Sequence, residues 1–325
     1  MKKVLILYNK ISDNPTEDEL DILEQVKLVS NALLELEYTV AYLSFDLNLE
    51  KTISDIKEIA PDIVFNLAET VYNKGEFAYL APSILGYLGI PFTGSPLIPM
   101  FNCSNKLLTK RELDRLRILT PNYLTLYQLP THYHYWFKPN SKYIVKPVWE
   151  EGSLGLDEHS VFDGSDNEYI DSLTKLNKDY YFIEEFIEGR ELNVSIIGTK
   201  NGPRVLPLAE MKFNYPNDKP KIMGYKSKWI EDSFEYQNTE RTFEIDNDYR
   251  LFPEIEDICK TIWNELGLKG YVRVDFRLDG INKPYVIDIN LNPCISESGG
   301  FYAACLEDSF TYNDMIEMII NDALR

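Results

Sequence analysis

The chain has 325 residues, 44% of them hydrophobic and 13% aromatic, which excludes disorder and is enough for two or three domains of about 100–150 residues each. Its 33 lysines and arginines stand against 52 aspartates and glutamates, a formal charge of -19 that sets the surface against nucleic acid and anionic lipid. No membrane span is expected, and the first apolar run, Val4–Tyr8, is too short for a signal-peptide core, so the expected location is cytoplasmic.

Val4–Tyr8 reads as a parallel strand buried on both faces. Thr16-Glu-Asp-Glu19 has the form of a capping box, and Ile22, Val26, Val29 and Leu33 follow it at helical spacing. Thr39–Leu43 and Ile63–Leu67 read as further strands, and Tyr79–Leu88 as a helix stopped by Gly89. Together they make a βαβ-type domain with a parallel sheet, residues 1–100, closed by Pro91 and Pro96.

A middle section, residues 101–190, holds a helix over Asn105–Leu116, a strand Tyr143–Pro147, a glycine-containing loop, a helix over Tyr169–Leu176 and a strand Tyr180–Phe186. His132 and His134 share a face of an extended segment with no third nitrogen or sulfur ligand nearby, and read as a solvated loop rather than a metal site. The last section, residues 191–325, opens on a strand Glu191–Ile197 and crosses a polar stretch, Lys212–Thr239, without periodicity. An amphipathic helix follows, with Leu251, Ile255, Ile258, Ile262 and Leu266 on one stripe and Gly267 at its end. The four cysteines, Cys103, Cys259, Cys294 and Cys305, stand far apart and argue against both zinc and a disulfide framework.

The most informative segment is Tyr271–Leu278, Asp279-Gly280, then Tyr285–Asn290: two strands and a turn, a hairpin signal. A constant index sum places Asp275 opposite Asp288 and Arg273 opposite Asn290, with Val272, Val274, Phe276, Ile287 and Ile289 on the other, apolar face. Two facing carboxylates roughly 5 Å apart repel by about 3 kcal/mol at an effective dielectric of 20. A cation, a shared proton, or salt bridges to Arg273 and Arg277 must offset that. The oxygen-only set Asp275, Asp288 and Asn290 suits magnesium, the competing reading being an arginine-compensated surface hairpin.

Lys146 lies in the strand Tyr143-Ile-Val-Lys-Pro147, followed by Glu151-Gly-Ser-Leu-Gly155. A loop with glycines and a hydroxyl can wrap phosphates with backbone N–H groups while a strand lysine supplies charge. Phe182-Ile-Glu-Glu-Phe186 then leads to Glu191, a strand and turn able to present backbone groups to a purine and a carboxylate to ribose, or simply a strand with a solvated acidic turn.

In this order the motifs resemble the ATP-grasp superfamily, and within it the D-alanine–D-alanine ligase-like carboxylate–amine ligases. They are Gly89-Ile-Pro-Phe-Thr-Gly-Ser95, Lys106, Lys146-Pro147, Glu151-Gly-Ser-Leu-Gly155, Ile183–Glu191, Arg273-Val-Asp275 and Asp288-Ile-Asn-Leu-Asn-Pro293. The resemblance implies an α/β (α+β) chain: an ATP-grasp fold, with subdomains 101–190 and 191–325, preceded by the parallel-sheet domain. It implies ATP and Mg2+, two ions with Mn2+ as a substitute, amino-acid or peptide substrates, and a homodimer through the first domain. Lys106, Lys146 and the loop at Ser153 would hold phosphates. Glu184, Glu185 and Ile187 would line the adenine site, and Glu191 would meet the ribose. Asp275, Asp288 and Asn290 match the metal ligands and Arg273 the arginine that steadies the reacting groups. Lys228 matches the lysine of a mobile lid, and Asp21 stands where a glutamate orients the first amino acid.

Departures collect on the amino-acid side. Asp288 replaces a glutamate, Cys294 follows Pro293 in place of glycine, Trp229 replaces a tyrosine after the lid lysine, and Asn66-Leu-Ala-Glu69, with Glu76 following, replaces a histidine-glycine segment. The expectation is therefore an ATP-dependent ligase working through an acyl phosphate, with substrates open to L-amino acids or a peptide. Its alternative is a nucleotide-binding sensor or assembly partner without ligation.

Overall fold

The computed structural model describes the chain except residues 13, 73, 151 and 246–249, and residues 18 and 131–134 by backbone alone. Glu151, the first residue of the expected phosphate loop, lies outside the described residues. Strands β1 (Lys3–Asn9), β2 (Thr39–Phe45) and β3 (Ile63–Leu67) form a parallel sheet in the order β2-β1-β3. Val4 to Leu7 are fully buried because helices cover both faces. Helix α1 (Glu17–Glu35) lies on one face; α2 (Leu49–Ile59) and α3 (Leu80–Leu88) lie on the other. Glu19 accepts from the Thr16 N–H at 3.1 Å, the capping contact expected of that motif.

Helices α4 (Leu97–Ser104) and α5 (Lys106–Leu116) lead to a second, antiparallel sheet. Its strands are β4 (Tyr123–Thr125), β5 (Lys142–Pro147), β6 (Val161–Asp163) and β7 (Tyr181–Glu185), in the order β4-β7-β5-β6. Helices α6 (Leu129–Trp136) and α7 (Asn167–Leu173) close a core around Phe137, Tyr143, Phe162 and Ile170. The segment of His132 and His134 is thus helical, not extended, and their side chains lie outside the described residues. Helix α7 starts two residues before the expected Tyr169 because Asp166 caps it, accepting from the Tyr169 N–H at 3.0 Å.

The largest sheet is antiparallel and runs β11-β10-β8-β12-β13, with β9 on β8. These are β8 (Arg190–Thr199), β9 (Gly202–Val205), β10 (Ala209–Phe213), β11 (Thr239–Thr242), β12 (Tyr271–Leu278) and β13 (Pro284–Asn290). The aperiodic stretch between β10 and β11 carries two short helices, α8 (Tyr225–Trp229) and α9 (Phe234–Gln237). Helix α10 (Leu251–Leu266) covers the sheet's apolar face, where Ile255, Cys259 and Ile262 share a core with Val194, Val272, Val274 and Phe276. Each such aliphatic burial contributes about 1.5–3 kcal/mol.

Helices α11 (Gly300–Glu307) and α12 (Tyr312–Ala323) return to the first sheet, and Ile316 and Ile319 join Val4, Ile6 and Val29 in one core. The first sheet also touches the large one directly. A Cβ on Gly270, whose φ is 75°, would lie 2.7 Å from Gly94 Cα, so the absence of a side chain at Gly270 permits the backbone contact with Thr93-Gly94-Ser95. Ser95 Oγ donates to the Lys269 carbonyl beside it at 3.2 Å. This docking sets the α1 end of the first domain over the polar face of the large sheet. Among the described residues, no helix is long and apolar enough to cross a membrane.

Candidate active site

The β12–β13 hairpin pairs Arg273 with Asn290 and Asp275 with Asp288, the register the index sum predicts. Beyond Asp275 the register shifts by one, Phe276 facing Val286, so β13 carries a bulge. This corrects the expectation for Ile287: Val286 fills the core at 1% exposure, while Ile287 lines the polar cleft beside Asp288. The bulge supplies an apolar wall that strict alternation would have hidden.

Arg273 forks onto Asp275, Nε to Oδ1 at 2.7 Å and Nη2 to Oδ2 at 2.8 Å, and Asn193 Nδ2 donates to Oδ1 at 2.9 Å. Arg277 turns away from the aspartates instead. Its Nε lies 3.4 Å from Glu191, it donates to the Gly189 and Lys221 carbonyls, and its guanidinium sits 4.7 Å from the Phe186 ring centre. The buried Oδ1 of Asp288 meets Lys106 Nζ at 3.3 Å, an ion pair without a well-aligned hydrogen bond. Burial pushes the Asp288 carboxyl up, but Lys106 and Lys146, with Arg273 behind them, outweigh it and hold the group ionised below its ordinary value.

Glu184, expected at the base of a nucleotide, is sunk between two lysines: Lys146 at 2.6 Å and Lys110 at 2.7 Å. Its side chain is 2% exposed, so it holds Lys146 in place rather than offering a free carboxylate. Lys110 was not singled out by the sequence, and only its ion pair across from α5 to Glu184 on β7 gives it a place in the site. It also donates to Thr120 Oγ1 at 2.8 Å. Glu185 accepts from Asn122 at 2.8 Å and borders the same cleft with Ile187. Burial pushes the Glu191 carboxyl up, opposed by Arg277 and reinforced by Asp275.

Gly152 and Ser153 both adopt left-handed φ, 65° and 64°. That turn aims the Gly152 carbonyl at Trp229, whose Nε1 donates to it at 3.0 Å, while Ser153 Oγ donates to the Met223 carbonyl at 2.6 Å. The Tyr225 N–H adds a bond to the Leu156 carbonyl at 3.0 Å. The stretch read as a lid is therefore fastened to the glycine loop, and Trp229 serves as a donor where a tyrosine could also accept.

Two cavities meet at this hairpin. One lies between the β5–β7 sheet and β12–β13, and Lys106, Lys146, Ser153, Glu184, Glu185, Ile187, Glu191, Asp275 and Asp288 line it. The other, of about 390 Å³, has Asp21, Asn290 and Trp229 on its wall. Lys228 and Arg273 border both. Asp21 accepts from Gln25 at 2.8 Å and from the Cys294 thiol at 3.1 Å. Burial and then Asp21 push that thiol up, so it stays protonated and donates.

The donor chemistry fits a hard divalent cation: Asp275, Asp288 and Asn290 bring oxygens to one hairpin end, and the buried Asp288 Oδ1 meets the Lys106 ammonium at 3.3 Å without a well-aligned hydrogen bond. Asn290 Oδ1 accepts one bond, from the Asn292 N–H at 2.8 Å, and retains a second lone pair. Among the described residues no group of three or more His, Cys, Asp or Glu could hold a metal, so a cation here relies on Asn290 and on phosphate or water oxygens.

A family model described as D-ala D-ala ligase C-terminus matches residues 139–321. The D-alanine–D-alanine ligase of Aquifex aeolicus is 29% identical over 299 residues, covering 90% of this chain and 92% of that protein. Among solved structures, the D-alanine–D-alanine ligase of Bacillus anthracis complexed with ATP superposes with a TM-score of 0.73 at 19% identity, covering 100% of this chain and 98% of that one. The VanG D-Ala:D-Ser ligase of Enterococcus faecalis superposes with a TM-score of 0.73 at 14% identity, covering 99% of each chain.

Proposed function

Because this chain belongs to the D-alanine–D-alanine ligase family, we propose that it is an ATP-dependent ligase joining a substrate carboxylate to a substrate amine, with amino acids or a peptide as substrates. The observation that carries the reading is the junction of the two cavities: a cation-rich cleft opens past Lys228 and Arg273 into a second chamber walled by Asp21. A protein that only binds nucleotide has no need of that chamber.

In this reading Lys106, Lys146 and the Ser153 turn hold the phosphates, with Glu184 fixing Lys146. Ile187, Ile287 and Glu185 border the base, and Glu191 the ribose. Asp275, Asp288 and Asn290 would hold Mg2+, two ions with Mn2+ as a substitute, which neutralises charge as the phosphoryl group transfers. A carboxylate oxygen of the first substrate bonds to the γ-phosphorus and the bond to ADP breaks, giving an acyl phosphate. The second substrate's amine then bonds to the carbonyl carbon, phosphate leaves, and the amine proton passes to solvent. Lys228 and Arg273 balance charge at both steps, and Asp21 receives the first substrate's ammonium. The fastened lid keeps water from the acyl phosphate.

The same reading takes residues 1–100, 101–190 and 191–325 as three units, with a homodimer through the first and a cytoplasmic location. The test is ADP release with Mg·ATP across a panel of D- and L-amino acids, singly and in pairs. Amino-acid-dependent ADP release matched by dipeptide is the expected result. Tight ATP binding with no stimulation by any mixture would instead favour a nucleotide sensor.

A further inference from the structure

Strand β12 carries a charged side chain on its polar face that the mechanism leaves unused. Arg273, Asp275 and Arg277 alternate there, and all three line the cation-rich cleft. Arg277 is 3% exposed and stands opposite Glu191, its register partner on β8, which is 6% exposed. Its guanidinium is divided among three parts of the chain. Nε faces the Glu191 carboxylate at 3.4 Å, Nη1 donates to the Gly189 carbonyl at 3.1 Å, and Nη2 donates to the Lys221 carbonyl. Phe186 covers its face. Phe186 and Gly189 belong to the connection between β7 and β8, where the chain passes from the second sheet to the large one. A side chain on Gly189 would strike the Leu278 carbonyl, next to Arg277, so glycine lets that connection press on β12. Lys221 belongs to the lid, and the two residues after it, Ile222 and Met223, line the cleft.

Neighbouring bonds of the lid run to a different place. Lys219 pairs with Glu158, the Met223 carbonyl accepts from Ser153, and the Tyr225 N–H donates to Leu156, so these three reach the stretch that follows β5. Arg277 instead ties the lid to the strand that carries Asp275. It does so with the same planar group that faces the carboxylate expected at the ribose. We propose that Arg277 is a positioning residue that couples the ribose site to the lid. Ribose hydroxyls donating to Glu191 fix that carboxylate, and the fixed carboxylate orients the guanidinium that grips the Lys221 carbonyl. Less order is then lost on holding the lid down, and by linkage the closed lid tightens the nucleotide equally. A lysine cannot stand in, because a point-like ammonium does not span three partners as a planar fork does.

This inference rests on the ligase reading for the ribose at Glu191 and for the lid, but its test needs no ligation. Trypsin cleavage at Lys219, Lys221, Lys226 and Lys228, assigned by mass spectrometry, reports lid opening. It is followed with and without a non-hydrolysable ATP analogue and Mg2+, the analogue saturating in every variant. In the wild type the analogue should slow these cuts roughly 10-fold or more. Arg277→Lys keeps the charge opposite Glu191 and loses the fork. Protection there should fall to about threefold or less, since losing a hydrogen bond from a charged donor is worth about tenfold. Glu191→Gln, which leaves the guanidinium in place, should lose protection as well. A merely structural arginine would change cutting equally with and without the analogue, leaving the ratio as it was. An opened lid also admits water, which converts the acyl phosphate to free carboxylate and phosphate. ADP released per dipeptide should therefore rise from about one in the wild type to about two or more in Arg277→Lys. An unchanged protection ratio in either variant overturns the coupling and leaves the ligase standing. A wild-type chain that the analogue protects, but that forms no dipeptide, removes the ligase reading and leaves the coupling standing.

Discussion

Asp288→Ala is expected to lower amino-acid-dependent ADP release by on the order of 10³-fold, the scale on which removing a catalytic charge or metal ligand acts. The expectation follows from an imbalance in the hairpin. Asp275 has both oxygens satisfied by Arg273 in a bidentate fork, whereas the Asp288 oxygen facing it is held by a looser ion pair, to Lys106 at 3.3 Å. A carboxylate kept ionised yet incompletely partnered is stored binding capacity for a cation. Asp288→Asn keeps the volume and removes the charge, so it should fail almost as badly. Asp288→Glu restores both oxygens, and with them the residue found here in the family motif, and should retain measurable turnover. Steady-state kinetics on the three variants checks this, and equal turnover in all of them would reject the role.

The largest stability effect is expected at Glu184. Its carboxylate is 2% exposed and shared by Lys110 and Lys146, so Glu184→Ala leaves two buried ammonium groups facing one another. Removing one member of a buried charge network costs about 3–5 kcal/mol, readable as a fall in the urea midpoint. Burial alone pushes the Glu184 carboxyl up, but the two lysines outweigh it and hold its pKa below the ordinary 4.5. A lowered carboxyl pKa contributes stability that is complete above 4.5 and is lost as pH falls through the folded value. Burial pushes Lys110 down, opposed by Glu184 and reinforced by Lys146. Glu184→Gln should therefore flatten the acid limb of the stability profile, while a loss below about 1 kcal/mol in Glu184→Ala would show that the lysines find other partners.

Much of this architecture is legible in the sequence because local patterns decide it. The βαβ alternation, the Thr16 capping box and the 273/290 and 275/288 pairs all follow from spacing alone. The bulge at Ile287 does not, because Val286, Ile287 and Ile289 are equally apolar and alternation cannot tell which one is extra. Helix α2, capped by Asn48, packs Leu49, Ile53, Ile56 and Ile59 on the first sheet and is absent from the elements read from sequence. Lys110 is invisible for a different reason: it gains its meaning from Glu184, far along the chain, which spacing cannot bring to it. Trp229 reads from sequence only as a replacement for a tyrosine after the lid lysine, and its indole N–H fastens the lid to Gly152.

The account stands on a cation being held between Asp275 and Asp288, and equilibrium binding of a non-hydrolysable ATP analogue, with and without Mg2+, measures that most directly. The wild-type chain should bind the analogue far more tightly with Mg2+ than with EDTA, and the Asp275→Ala, Asp288→Ala double variant should bind it equally weakly in both. If the double variant keeps the full Mg2+ dependence, the hairpin does not hold the metal and the mechanism built on it is wrong.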